Sequence, residues 1–192
     1  MRESRVIADL LLASANEHEW TQAVQQDNRL QKRSSATAKR QAQAIRKRLE
    51  HLDEPFWRAL RDGDDELATQ VAFCSVLARN LLLVEFIETV VRDAFVTRAE
   101  VLESYQWRDF LEDRSNRDSA IGDWAESSKR KMGQVAFRIL AEVGLIKSTR
   151  KPQLQRLLAR PEVIVLLEDS RRDRIKSCLT LSSAAVQQKL SE

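Results

Sequence analysis

Four glycines and three prolines are all that 192 residues contain, and this scarcity restricts the fold more than any other feature of the chain. A many-stranded sheet needs frequent tight turns, and the residues that form them without strain are largely missing. The chain is rich instead in Ala, Leu, Arg, Gln and Glu, which favour helix. The sequence therefore predicts a mainly α, compact multi-helix protein. A composition of 43% apolar and 32% charged residues is that of a folded chain, not a disordered one.

Apolar residues recur at helical spacing along most of the length. Val6, Leu10 and Ala13, with Ile7 and Leu11, form a first stripe, and a second helix starts at Glu17 to Glu19 and carries Trp20, Ala23 and Val24 inward. After a turn at 28–33, Ser34 or Ser35 can cap a helix whose Ala38, Ala42, Ile45, Leu49 and Leu52 share one face. Pro55 suits the first turn of a short helix that Gly63 ends, and Asp64 or Asp65 with Glu66 suit the positive start of the next. Residues 80–96 are apolar on more than one side, which predicts a largely surrounded helix.

The polar stretch 112–119 marks a loop or a junction. It separates an N-terminal helical region, 1–112, from a C-terminal winged-helix-like region, 113–192, packed as one unit. In the second region Ser127 or Ser128 can cap a helix with Met132, Val135, Ala136, Ile139, Leu140 and Val143 facing inward and Gly144 at its end. A short β-hairpin or wing is expected near 145–152. Pro161 then opens a further helical stretch with Leu166, Ile175 and Leu179 among its buried positions.

Charge is concentrated along this framework. Between 29 and 50 eight cations face one acid, Glu50, giving a local +7 in a chain of net charge +3. Residues 127–160 carry +8, and the 51–126 segment between the two blocks carries −9. Such compact positive patches create a field able to hold phosphates. The first block offers Lys32, Arg33, Ser35, Lys39, Arg40, Gln43 and Lys47 as candidate DNA-binding residues on a turn and a capped helix. The second offers Lys129, Arg130, Lys131, Gln134 and Arg138 on a helix, then Lys147, Arg150 and Lys151, the layout of a helix-turn-helix recognition helix followed by a wing. An ordinary solvated face is the alternative. Such a face normally intersperses acids for i,i+4 pairing, and their near absence favours binding.

Little in the sequence suggests an enzyme. His18 and His51 stand in different segments with no Cys or His at ligand spacing, and no Gly-rich phosphate loop appears, so neither a metal nor a cofactor is expected. Asp109, Glu112 and Asp113 suit a solvated acidic face as well as a magnesium site. The four tryptophans, Trp20, Trp57, Trp107 and Trp124, are spread as core anchors and are not clustered with the basic blocks as base-stacking platforms would be. Cys74 and Cys178 sit in apolar surroundings that suit free thiols in a reducing cytoplasm. Arg2, Glu3, Arg5 and Asp9 interrupt the start, against a secretory signal. The most apolar stretch, 67–96, is broken by Arg79, Glu85, Glu88, Arg92 and Asp93, so no membrane insertion is expected.

The stretch Asn28-Arg-Leu-Gln-Lys-Arg-Ser-Ser-Ala-Thr-Ala-Lys-Arg, followed by Ile45 and Arg48-Leu49, resembles the BrxA family of bacterial bacteriophage-exclusion (BREX) defence systems. The later Ser127-Ser-Lys-Arg-Lys and Leu140-Ala-Glu-Val-Gly-Leu-Ile fit the same resemblance, which spans nearly the whole chain. It implies a small, mainly helical, non-enzymatic component of a multi-protein phage-resistance system that binds double-stranded DNA and works with other BREX proteins. Members have also been labelled inner-membrane proteins, a label at odds with the interrupted apolar run. Two other functions suit the same basic blocks. One is an RNA-binding helical adaptor; the other is a protein–protein assembly scaffold, including self-association through the acidic middle of a second copy.

Overall fold

The computed structural model describes residues 1–187. In chain order its helices are α1 (Arg2–Leu12), α2 (Glu17–Thr21), α3 (Ser35–Leu49), α4 (Glu54–Asp62), α5 (Asp65–Arg79), α6 (Leu81–Phe86) and α7 (Arg92–Val96). There follow α8 (Ser104–Ser115), α9 (Ser119–Gly122), α10 (Glu126–Val143), α11 (Pro161–Asp169) and α12 (Asp173–Gln187). A π-helical turn, Gln22–Gln26, prolongs α2, and another, Ile87–Val91, joins α6 to α7. The mainly α expectation holds. Contacts divide the chain into two units, one of Met1–Asn80 with Arg160–Arg172 and one of Leu81–Ala159 with the chain from Asp173. Residue 112, where polarity suggests a junction, lies inside α8, because Phe110 and Leu111 bury the inner face of that helix while its outer face is charged.

In the first unit α1 packs against α3 and α4, and α3 against the π turn and α5. The local signals act as physics requires. Asn16 and Glu19 form a reciprocal capping box on α2, Ser34 accepts the Thr37 N–H at the start of α3, and Asp64 accepts the Leu67 N–H at 2.8 Å at the start of α5. Pro55 stands in the first turn of α4 and Gly63 at its end. Arg5 joins α1 to the α4–α5 corner, donating to the Arg61 and Gly63 carbonyls at 2.8 and 2.7 Å and pairing with Asp65 at 3.0 Å.

Arg160 performs the same task for α11. Its guanidinium meets Asp64 at 2.8 Å and Glu162 at 2.7 Å, and its backbone N–H donates to the buried Gln70 side chain at 2.8 Å. The Leu67 N–H and then the Arg160 guanidinium hold the Asp64 carboxyl below its usual range. A carboxylate with a depressed native pKa contributes stability above its unfolded pKa, and that contribution is lost as pH falls through the native value. Asp64→Asn is therefore expected to melt earlier than wild type at neutral pH. The two melting curves should converge when pH is lowered below the carboxylate range; a gap of constant size down to acid pH would remove the ion pair from the explanation.

In the second unit the continuous helix 81–96 is central, as expected. Leu83, Val84, Phe86, Ile87, Val91 and Ala94 are buried, and only the ends expose apolar side chains, Leu81 and Val96. The Phe86 ring lies 4.9 Å from that of Trp107, 5.3 Å from Phe110 and 6.4 Å from Phe137 by centroids, which locks α6, α8 and α10 around one aromatic cluster. Gly133 permits this approach. A Cβ there would fall 2.6 Å from Trp107 Cδ1, and the Trp107 indole N–H donates to the Lys129 carbonyl of the same helix at 3.1 Å. Arg114–Glu85 and Arg174–Glu88 ion pairs, at 3.3 and 2.6 Å, add polar ties on the outside of the helix that contains Phe86.

Gly144 ends α10 in the left-handed conformation, φ 88°. The chain then forms antiparallel bridges, Ile146 with Leu154 and Val101 with Gln153. Lys147 N–H to Gln153 C=O and Leu102 N–H to Pro152 C=O, both 2.9 Å, hold residues 152–155 between the other two segments. This is the hairpin expected near 145–152, present as isolated bridges and not as full strands.

Three local expectations need correction. Val135 is 41% exposed, because Ala136, Leu140 and Val143 define the inner face of α10 and a step of one residue turns it about 100° away. Ala125 precedes α10 with no side-chain cap, which leaves Ser127 and Ser128 exposed inside the first turn. On α11, Val163 and Leu167 are the buried positions while Leu166 is only half-buried. Cys74 and Cys178 are buried free thiols, and burial pushes Cys178 up to about 12. Among the described residues no single helix is long and apolar enough to cross a membrane.

Candidate nucleic-acid interface

The predicted site residues of the first unit divide into two kinds. Ala38, Ala42, Ile45 and Leu49 bury one face of α3, which turns Lys39, Arg40, Gln43 and Lys47 outward. Those four, with Arg33 at the end of the preceding turn, are exposed, and their side chains make no hydrogen bond or ion pair to another described residue. Lys32 is different. It is half-buried and pairs with Glu3 at 2.5 Å, and this hydrogen bond holds the Glu3 carboxyl below its usual range. Ser35 Oγ donates to the Gln25 side chain at 3.3 Å, so it fastens α3 to the π turn.

The turn itself is fixed. Asn28 and Gln31 adopt φ of 47° and 52°, and the Asn28 amide brackets Lys32 by accepting from its N–H and donating to its C=O, each at 2.9 Å. Arg29 pairs with Asp9 at 2.9 Å and Arg2 donates to Gln31, which fastens the turn to α1. Arg46 on α3 braces the fold: its guanidinium lies 4.5 Å over the Trp20 ring and pairs with Glu50 at 2.8 Å and Glu17 at 3.2 Å. A fixed α2–turn–α3 corner thus presents an unpaired basic face.

In the second unit Arg130, Lys131, Gln134 and Arg138 project from α10, exposed and without partners among the described residues. Lys129 does not project. It is half-buried, pairs with Glu126 at 2.9 Å and donates to the Gly122 carbonyl at 3.4 Å, bracing α9 against α10. Lys147, Arg150 and Lys151 are exposed on the hairpin, with no side-chain partner among the described residues, and its tip is held by Ser148 accepting the Lys151 N–H at 3.0 Å. Arg156, exposed just beyond the hairpin, joins this basic surface although it is not among the residues that the sequence predicts. Its signal is its place in the Leu154-Gln155-Arg156-Leu157 segment, where polar residues stand between apolar ones. Among the described residues no group of three or more His, Cys, Asp or Glu could hold a metal.

Comparison with known proteins finds matches over nearly the full length of the chain. The BrxA family model matches residues 1–171. The chain belongs to the BrxA family. Its relatives include the BREX protein BrxA of Paramagnetospirillum magneticum, 35% identical over 180 residues, with 94% of this chain and 90% of that protein covered. The BREX protein BrxA of Escherichia coli is 32% identical over 167 residues, covering 87% and 78% of the two chains. A crystal structure of an uncharacterized protein from Magnetospirillum magneticum is similar with a TM-score of 0.84 and 33% identity, covering 94% of this chain and 92% of that one. The BrxA match contains both the α3 and the α10 segments and the hairpin.

Proposed function

We propose that this BrxA-family chain is a non-enzymatic, double-stranded DNA-binding accessory component of a bacterial phage-exclusion (BREX) defence system, acting in the cytoplasm with other proteins of that system. One observation carries the reading: each unit turns outward a helix face whose exposed cations have no acid partner among the described residues. Cations fixed in this way are suited to phosphates, which supply most of the affinity of duplex binding. We read the α2–turn–α3 corner as a helix-turn-helix, and the order α8, α9, α10, hairpin as a winged one. On this reading α3 and α10 enter the major groove while Arg33, Lys147, Arg150 and Lys151 grip the backbone.

The names of the BrxA relatives place those proteins in BREX systems, and the same assignment for this chain rests on family membership. Fluorescence anisotropy with a labelled duplex at low salt tests the binding. Binding that unlabelled duplex DNA displaces well and structured RNA displaces poorly is the expected result. Preferential displacement by RNA would favour an RNA adaptor, since A-form grooves offer a different phosphate geometry. No binding, with salt-sensitive self-association in its place, would favour an assembly scaffold.

A further inference from the structure

The outward faces of α3 and α10 carry the same pattern. Lys39 and Arg40 precede Gln43 and Ala44 and are followed by Lys47; Arg130 and Lys131 precede Gln134 and Val135 and are followed by Arg138, at identical spacing. Burial repeats as well. Ala42, Ile45 and Leu49 are buried on one helix, and Gly133, Ala136 and Leu140 at the matching positions of the other. All five outward positions of each pattern are exposed. Each unit thus shows a free amide beside an exposed aliphatic side chain, bracketed one turn before and one turn after by free cations.

The cations suffice for phosphates, and the amide–aliphatic pair between them is unexplained by the fold. The side-chain amides of Gln43 and Gln134 bond to no described residue. Val135 is 41% exposed, and a β-branched residue is a poor helix former at an exposed helix position. Scattered exposed aliphatics are ordinary, but the same adjacency, in the same register between cations, occurs on both helices. In the major groove adenine offers N6 and N7 to a Gln amide, and the thymine methyl packs on small aliphatic groups. Gln beside Ala or Val therefore matches the two partners of one A·T pair or of neighbouring ones.

We propose that Gln43–Ala44 and Gln134–Val135 are two equivalent base-reading pairs, each selecting A·T pairs in the major groove. The inference rests on the duplex-binding reading above and adds sequence preference to it. A duplex with A·T elements reachable by both helices is bound more tightly than a G·C duplex of equal length and charge.

The test uses the full chain and three duplexes of equal length at one salt concentration: alternating A·T, alternating G·C, and the A·T duplex with uracil in place of every thymine. Uracil removes the methyl group from the major groove and leaves the minor-groove pattern intact. The expected order is A·T over G·C by about 5- to 150-fold per amide–adenine pair, with uracil lowering affinity about fourfold for each methyl group that packs on the protein. Gln43→Ala with Gln134→Ala should narrow the A·T to G·C ratio while leaving the salt dependence unchanged, and Val135→Ser should narrow the thymine to uracil ratio. Equal binding of all three duplexes overturns the proposal and leaves duplex binding standing. An A·T preference that survives both uracil and the double Gln variant also overturns it. No binding of any duplex at low salt overturns the functional reading itself.

Discussion

Reversing the free cations of α3, in a variant with Lys39→Glu, Arg40→Glu and Lys47→Glu, is expected to lower duplex affinity on the order of a hundredfold at low salt. It should also reduce the magnitude of the salt slope by about 3, since each phosphate contact contributes about 0.9. The reduction in affinity should be similar for every duplex sequence, because phosphate contacts carry no sequence information. Helix content should stay intact: the three side chains point away from the buried Ala38, Ala42, Ile45 and Leu49 stripe and have no partner to lose among the described residues. Lys32→Gln and Lys129→Gln provide the contrast. Their ammonium groups are already engaged by Glu3 and Glu126, so each should change duplex affinity by much less than the triple reversal. Equal effects from engaged and free cations would mean that a diffuse field, and not these helix faces, holds the DNA.

The largest effect on stability is expected at the α8–α10 contact. Trp107→Ala removes the ring beside Phe86 and Phe110 and its hydrogen bond to the Lys129 carbonyl, and should cost about 3–5 kcal/mol. Gly133→Ala tests the same contact from the other side. Its Cβ would meet the indole at 2.6 Å, an overpacking expected to cost about 1–3 kcal/mol although Ala is the better helix former. The double variant supplies the discriminating measurement. With the indole gone, Gly133→Ala should become neutral or stabilising by up to about 1 kcal/mol. Urea unfolding followed by circular dichroism measures all three; additive destabilisation in the double variant would remove the clash from the explanation.

Much of the fold is legible in the sequence because local signals agree with one another. Ser34, Asp64, Pro55, Gly63 and Gly144 stand at the helix boundaries their chemistry predicts. The period of Ala38, Ala42, Ile45 and Leu49 gives the correct inner face of α3. Faces are harder to assign where apolar residues stand side by side. Val135 and Ala136 are both apolar, and only the position of Phe137, Leu140 and Val143 against the aromatic cluster decides which of them turns outward. The division of charged residues into bracing and free ones is illegible too. Lys32 and Lys129 belong to the same basic runs as Arg33 and Arg130, and their acids, Glu3 and Glu126, engage them only through the folded geometry. The polarity of 112–119 does mark a loop, at 116–118, but the first part of that stretch is the outward face of α8.

The salt dependence of duplex affinity tests the central claim most directly. With roughly six to ten phosphates held by the free cations of the two units, affinity should fall by about 10³ to 10⁵ between 50 and 200 mM salt, linearly on logarithmic axes. A duplex affinity that stays flat over this range, or no measurable duplex binding at the low end, would contradict the account.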